Sequence, residues 1–348
     1  MRISLLLIAL IGVLTPKLTC AAETTIRYEA SHDAMGTSFT VVCYGRDRDY
    51  LAEVVNEVFE EIDGLDAQMS NYRPESELSR INREAARQSV VVEPRLFQLV
   101  RDAVRTSEET GGAFDITVGP LMKSWGFFRG RGRLPSRKEL AQVLKRVGYW
   151  HITLEAAPRT VRFEEEGIEL DLGGLGKGYA VDQAVEILRA NGITSALVSS
   201  GTSSIYALGA PPAQRGWKVT VRDPFDAIKV GDVIYLKNCS LSTSGNYEKF
   251  FKLGGRIYSH IMNPKTGLPV ENMLSTTVLA PRATAGDALS TAFYVLGVEG
   301  SKKYLARHPN LAAVFYLPAT GRGHFKRVVL CSPSYQSAPD TLAEIESR

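Results

Sequence analysis

Apolar residues recur at helical spacing from Leu51 to Met69, at Leu51, Val54, Val55, Val58, Phe59, Ile62 and Leu65. Side chains three and four apart share a helix face, so this spacing predicts a helix with one buried stripe. A second helix is predicted over Arg95–Thr110, opened near Pro94 and stopped by Gly111-Gly112. Ser136-Arg-Lys-Glu139 has the reciprocal spacing of a capping box and opens a third, which Gly148 ends. Later helices are expected from Tyr179 to Asn191-Gly192, from about Ala285 to Leu296, and over Glu299–Arg307.

Strand-like runs fill the intervals. Thr25 to Tyr44 alternates in part and is interrupted at Met35-Gly-Thr37. Thr160–Phe163, Ile168–Leu172 and Ser195–Ser199 are short candidates. The second half adds Trp217–Arg222, Val233–Lys237, Ile257–Ile261, Ser275–Ala280, Leu311–Leu317 and Lys326–Leu330. Helices and strands mix without regular alternation, and no Pro/Gly/Ser-rich linker divides them. The pattern predicts one compact α+β domain over residues 23–332, with residues 333–348 as a polar, flexible tail.

The first residues follow a different rule. Arg2, the apolar run Ile3 to Leu14 and the small cluster Cys20-Ala21-Ala22 read as an export signal over residues 1–22. The run is too short to span a bilayer. Cys20 also fits a lipoprotein signal, but Lys17 and Thr19 suit a lipidation site poorly, so soluble periplasmic export ranks above an inner-membrane lipid anchor. Membrane association is expected only with lipidation. The net charge of +3 is nearly balanced, and Arg129-Gly-Arg-Gly-Arg133 reads as a solvated loop, so nucleic-acid binding has little support. Cys43, Cys239 and Cys331 would remain after cleavage, an odd set without C-x-x-C spacing, which argues against a disulfide framework or a zinc site.

Candidate chemistry gathers in a few runs. Asp171-Leu-Gly-Gly-Leu-Gly-Lys-Gly-Tyr179 places Gly173, Gly174, Gly176 and Gly178 around Lys177, between a strand-like and a helix-like segment. Glycines let backbone approach a ligand, and a helix start offers N–H groups to an anion, so this turn reads as a phosphate cradle. It fits neither G-x-G-x-x-G nor the P-loop, where Ser or Thr would follow the lysine. A tight turn with a solvated lysine is the competing reading. Asp287 and Thr291 lie four apart, one turn along a helix face, and offer two hard oxygens to Mg²⁺. Alone they would pass for an ordinary helix opening.

His260, at a strand end before Asn263-Pro264 and Thr266-Gly267, is either an acid–base or phosphate-binding group or a turn histidine. Asp115 and Thr117 interrupt an apolar stretch, and either bind ligand or satisfy a buried turn. Ser199-Ser-Gly-Thr-Ser-Ser204 and Ser242-Thr-Ser-Gly-Asn-Tyr247 are hydroxyl-rich turns, able to donate to phosphate or to bond their own backbone. No G-x-S-x-G elbow supports a serine hydrolase.

Together, and in order, these runs resemble the ApbE family of flavin transferases. The resemblance is carried by Met35-Gly-Thr37, Ser70-Asn-Tyr-Arg-Pro74 with Ser76 and Asn82, and Gly112-Ala-Phe-Asp115 through Trp125-Gly-Phe127. It continues through Asp171-Leu-Gly-Gly174 with Lys177-Gly178, Ser244-Gly-Asn-Tyr247, Tyr258-Ser-His-Ile261 with Asn263-Pro264 and Thr266-Gly267, and Asp287-Ala-Leu-Ser-Thr291. It implies a T-fold-like α+β domain and Mg²⁺-dependent transfer of the FMN half of FAD to a threonine hydroxyl of a target protein, releasing AMP. Asp287, Thr291 and the Gly176 carbonyl would hold Mg²⁺. His260 would assist transfer, with Asp287 able to share the role of base. Met35 and Tyr72 would pack near the isoalloxazine, and Asp115, Lys177, Gly178, Ser200, Gly201, Thr202 and His260 would line the nucleotide. The expected target is an exported or membrane electron-transport subunit. Where family members commonly carry paired glycines, this chain has Ser200-Gly-Thr-Ser203. The competing functions are FAD hydrolysis to FMN and AMP, and non-catalytic periplasmic FAD binding.

Overall fold

A computed structural model describes residues 25–130, 132–226, 228–321, 323–333, 335 and 342–345. The expected export signal over residues 1–22 lies outside them. Strands β1 (Ile26–Ala34) and β2 (Thr37–Gly45) form a hairpin, followed by α1 (Arg48–Met69), α2 (Glu77–Glu84), β3 (Val90–Val91) and α3 (Pro94–Glu109). The short helices α4 (Gly119–Ser124) and α5 (Arg137–Val143) lead to β4 (Ile152–Glu155), β5 (Thr160–Phe163) and α6 (Gly176–Ala190). Then come β6 (Ala196–Ser200), β7 (Ser204–Leu208), β8 (Trp217–Arg222), β9 (Val230–Lys237), β10 (Cys239–Gly245), and the hairpin β11 (Phe250–Leu253) and β12 (Arg256–Ser259). The described chain closes with β13 (Ser275–Ala280), α7 (Ala283–Leu305), β14 (Ala312–Pro318), β15 (Phe325–Cys331) and β16 (Leu342–Ile345).

The architecture is the expected α+β. Eight strands form one sheet in the order β1-β2-β6-β7-β10-β13-β14-β15. Each neighbouring pair is antiparallel. Along β14, Ala313 and Phe315 join a core shared with α1, α3, α6 and α7, while Ala312, Val314 and Tyr316 join a second core with β8 and β9. The sheet is therefore a middle layer, with helices on one face and the small sheet β16-β9-β8 on the other. Central strands covered on both faces lose the alternation that marks a half-buried strand.

That burial explains where sequence pattern and structure part. Ser242–Tyr247 looks like a hydroxyl-rich turn, but Ser242–Gly245 belong to β10, a strand buried along its whole length. Its hydroxyls bond sideways within the layers: Ser240 Oγ donates to the Ala280 carbonyl at 2.8 Å, and Thr243 pairs with Thr277 at 2.8 Å. Ile168–Leu172, expected as a strand, is extended without a sheet partner. The Asn82 amide stands in for one, donating to the Leu170 carbonyl at 3.0 Å and accepting its N–H at 2.8 Å. The segment expected to be a loose tail returns as β16, antiparallel to β9, and Ile345 packs on the second core. The two helices predicted after Ala285 are present within α7, divided at Gly297, whose φ of 67° and ψ of −175° are not helical. Cys43, Cys239 and Cys331 are thiols, the first two buried.

Helix α7 has no capping side chain of its own. Asp182 of α6 supplies one in trans: its carboxylate accepts from Ala283 N at 2.8 Å, Thr284 N at 3.0 Å and Thr284 Oγ1 at 2.6 Å. A negative group at a helix start satisfies orphan N–H groups and meets the positive end of the dipole. Asp182→Ala is expected to lower stability by about 2 kcal/mol, with Asp182→Asn losing less. Urea unfolding of both variants checks the ranking.

Candidate active site

Helix α6 begins at Gly176, three residues earlier than the apolar pattern predicts, so the glycine run forms its first turn. Gly176 N–H turns back to the Leu172 carbonyl at 2.8 Å, and Gly178 N–H donates to Asp287 Oδ2 on α7 at 2.9 Å. A Cβ at Gly178 would lie 2.3 Å from the Ala283 carbonyl oxygen and 2.7 Å from Asp287 Cβ. Only glycine lets the two helices approach this closely. On its other side α7 rests on the serine strand: a Cβ at Gly286 would stand 3.0 Å from Ser242 Oγ.

These contacts form one wall of a cleft of about 280 Å³. Gly176, Lys177, Asp287 and Thr291 line that wall. Met35 enters from the β1–β2 turn, Tyr72 from the α1–α2 connection, Asp115 from the segment after α3, and His260 from the end of β12. The structure thus gathers eight of the expected site residues, which lie far apart in sequence, into one space. It does not bring Gly178, Ser200, Gly201 or Thr202 to the lining. Gly178 gives its N–H to Asp287. Ser200 is buried with its hydroxyl on the Ser204 carbonyl. Gly201 closes the β6–β7 turn with φ 55° against β2, where a Cβ would meet Thr37 Oγ1 at 2.4 Å. From this turn it is Ser203 that faces the cleft.

Asp115 lines the cleft, yet both oxygens serve the fold. Oδ1 accepts from Thr117 N at 2.8 Å and Thr117 Oγ1 at 2.6 Å, and Oδ2 from Tyr149 N at 2.8 Å. His260 is fixed more selectively. Its Nδ1 lies 3.0 Å from the Lys249 carbonyl, which can only accept, so Nδ1 carries the proton and Nε2 keeps its lone pair. Burial pushes its pKa down from 6.5 to about 4, assisted by the nearby charges of Lys177 and Lys249. Tyr72 is exposed, and its ring stacks on Phe128 with centroids 4.5 Å apart.

Of the five acidic residues that line the cleft, Asp66, Asp115, Asp171, Glu248 and Asp287, the last three feel the charge of Lys177. Burial pushes all three carboxyls up, and the charge of Lys177 pulls each back down. Lys177 is the common counter-charge of the site. Sequence reading missed Asn71, Glu248 and Lys249 as lining residues, while Ser203 and Ser244 lie in the two hydroxyl-rich runs singled out as possible phosphate donors. Asn71 and Ser244 lay inside recognised runs; Glu248-Lys249 resembles any solvated pair of opposite charges. Two lining side chains hold a buried oxygen that no hydrogen bond reaches: Asn71 Oδ1 and Glu248 Oε1.

A sequence model of the ApbE family matches residues 35–315, which include every element lining the cleft. The chain belongs to the ApbE family. It is 34% identical over 334 residues to the FAD:protein FMN transferase of Treponema pallidum (strain Nichols), covering 91% of each chain. It is 31% identical over 298 residues to that of Escherichia coli (strain K12), covering 84% of each. Among solved structures, an ApbE protein from Thermotoga maritima superposes with a TM-score of 0.79 at 30% identity, over 88% of this chain and 97% of that one. The flavin transferase ApbE from Vibrio cholerae gives 0.77 at 28%, over 90% and 99%.

Two expectations follow from the ApbE cleft. Gly178→Ala forces a methyl against backbone, so α6 and α7 must separate; a loss of about 2 to 3 kcal/mol in urea unfolding is expected. Between pH 6.5 and about 4 the unfolded chain protonates His260 while the folded chain does not. The unfolded state then binds more protons, so stability falls as pH drops through this window. His260→Gln should flatten the fall between pH 6.5 and 4 in the apo protein.

Proposed function

We propose that the chain is a FAD:protein FMN transferase that moves the FMN half of FAD to a threonine hydroxyl of a target protein. One observation carries the reading: a single cleft brings together a cation, Lys177, hard oxygens on α7, and a neutral imidazole with an open nitrogen. Those are the parts that phosphoryl-group transfer needs, namely charge on the phosphates and a proton acceptor.

The Lys177 ammonium lines the cleft as counter-charge to Asp171, Glu248 and Asp287, and there it would meet the pyrophosphate. Met35 and Tyr72 supply apolar and aromatic surface for the flavin ring. In the reaction, the threonine Oγ forms a bond to the FMN-side phosphorus. The bond from that phosphorus to the bridging oxygen breaks, and the oxygen leaves with AMP. The threonine proton passes to His260 Nε2. The anionic pyrophosphate opposite raises the affinity of the imidazole for that proton.

The donor set fits Mg²⁺. Among the described residues no three His, Cys, Asp or Glu side chains gather as a metal cage. The Asp287 carboxylate, Thr291 hydroxyl and Gly176 carbonyl, all on the cleft wall, offer few and hard oxygens, as suits an ion that keeps places for water and phosphate. Bound there, Mg²⁺ would neutralise phosphate charge and polarise the phosphorus. Gly178 N–H holds one Asp287 oxygen in place while the helix start orients the rest.

The export-signal pattern of residues 1–22 supports work outside the cytoplasm, and no helix of the described residues is long and apolar enough to cross a membrane. The target that fits this location is an exported or membrane-bound electron-transport subunit with an accessible threonine. Incubation with FAD, Mg²⁺ and such a target should leave FMN on the denatured target by mass spectrometry. Free FMN and AMP with no protein-bound flavin would make the chain a hydrolase instead. Asp287→Ala should reduce turnover by at least about a hundredfold while leaving FAD binding detectable.

A further inference from the structure

Glu248 follows β10 and enters the cleft beside the phosphate-binding wall. Its Oε1 is shielded from solvent and has no hydrogen-bond partner. A buried acceptor left unanswered is costly, and a protein that keeps one in a ligand cleft has a donor to come. The surroundings narrow which donor. Burial pushes the Glu248 carboxyl up from its ordinary value, as does Asp287, while Lys177, Lys249 and Arg222 hold the rise in check. A carboxylate in that company repels a pyrophosphate, whose oxygens are acceptors as well. Its partner must therefore bring an O–H or N–H group.

The transfer reaction brings hydroxyls from two sources next to the phosphates: the sugars of FAD, and the acceptor threonine. We propose that Glu248 is a specificity-determining residue, whose Oε1 accepts a hydrogen bond from a substrate hydroxyl held beside Lys177. This rests on the transferase reading given above. It assigns Glu248 a partner that neither Lys177 nor the Asp287–Thr291 wall can serve, because those groups answer phosphate. A site built around such an acceptor also rejects a substrate lacking the hydroxyl, since the carboxylate would then stay unpaired.

Glu248→Leu keeps the volume and removes the acceptor; Glu248→Gln keeps an acceptor oxygen without the charge. FAD binding is measured by flavin fluorescence without target, and transfer kinetics with a threonine-bearing target. If a sugar hydroxyl is the partner, Glu248→Leu weakens FAD binding about tenfold or more and Glu248→Gln recovers part of it. If the threonine is the partner, FAD affinity holds, and the KM for target rises about tenfold in Glu248→Leu and less in Glu248→Gln. Mere charge removal predicts the reverse, tighter FAD in both variants. Tighter or unchanged FAD binding together with an unchanged target KM overturns the proposal. Absence of flavin transfer by the unaltered protein would instead overturn the transferase reading, and the FAD-binding arm would still report on Glu248.

Discussion

The contact between α6 and α7 at Gly178 is the constraint on which the site depends. One N–H of the α6 first turn ends on Asp287, and no side chain separates the helices there. A turn further along α6, Asp182 holds the first N–H groups of α7. The two contacts fix the position of α7 along α6, and so place Asp287 and Thr291 on the same wall as Lys177. The eight-stranded sheet supplies the floor, but this junction decides where the charged groups point.

The floor is unusual for a core. Strand β10 carries serine and threonine where an aliphatic strand would be expected, and all of its residues are buried. Each hydroxyl finds a partner across the strands or on α7, as Ser244 does with Ser290 at 2.8 Å and Thr291 at 3.2 Å. Small side chains let α7 lie close to the sheet, and their hydrogen bonds remove the cost of burying them. The polarity that makes the strand hard to recognise is what seats α7.

The sequence made the long amphipathic helices legible, because burial on one face leaves a 3.6-residue period in α1 and α3. It also singled out Lys177, Asp287, Thr291 and His260, which the structure gathers in one cleft, since glycine runs, helix spacing and turn signals flanked them. What it hid has one physical source. Strands covered on both faces carry no alternation, so the end of β10 passed for a turn. Asn82 replaced a strand partner for Leu170, which made a loop look like sheet. Ser200, Gly201 and Thr202 looked like ligand donors because a hairpin turn and a phosphate-binding turn use the same residues. Glu248 was invisible because burial, and not residue type, distinguishes it from a surface acid.

The Gly178 contact also determines where this protein is able to change. The α6–α7 wall admits no added atom at that position, and its helices are locked to each other and to the serine strand. The opposite wall hangs from the β1–β2 turn, the α1–α2 connection and the hairpin base that carries Lys249 and His260, and its exposed Tyr72 has space around it. A change of side chain at exposed Tyr72 meets no steric limit like the one at Gly178. One wall of the cleft is thus closed to added atoms where the other is not.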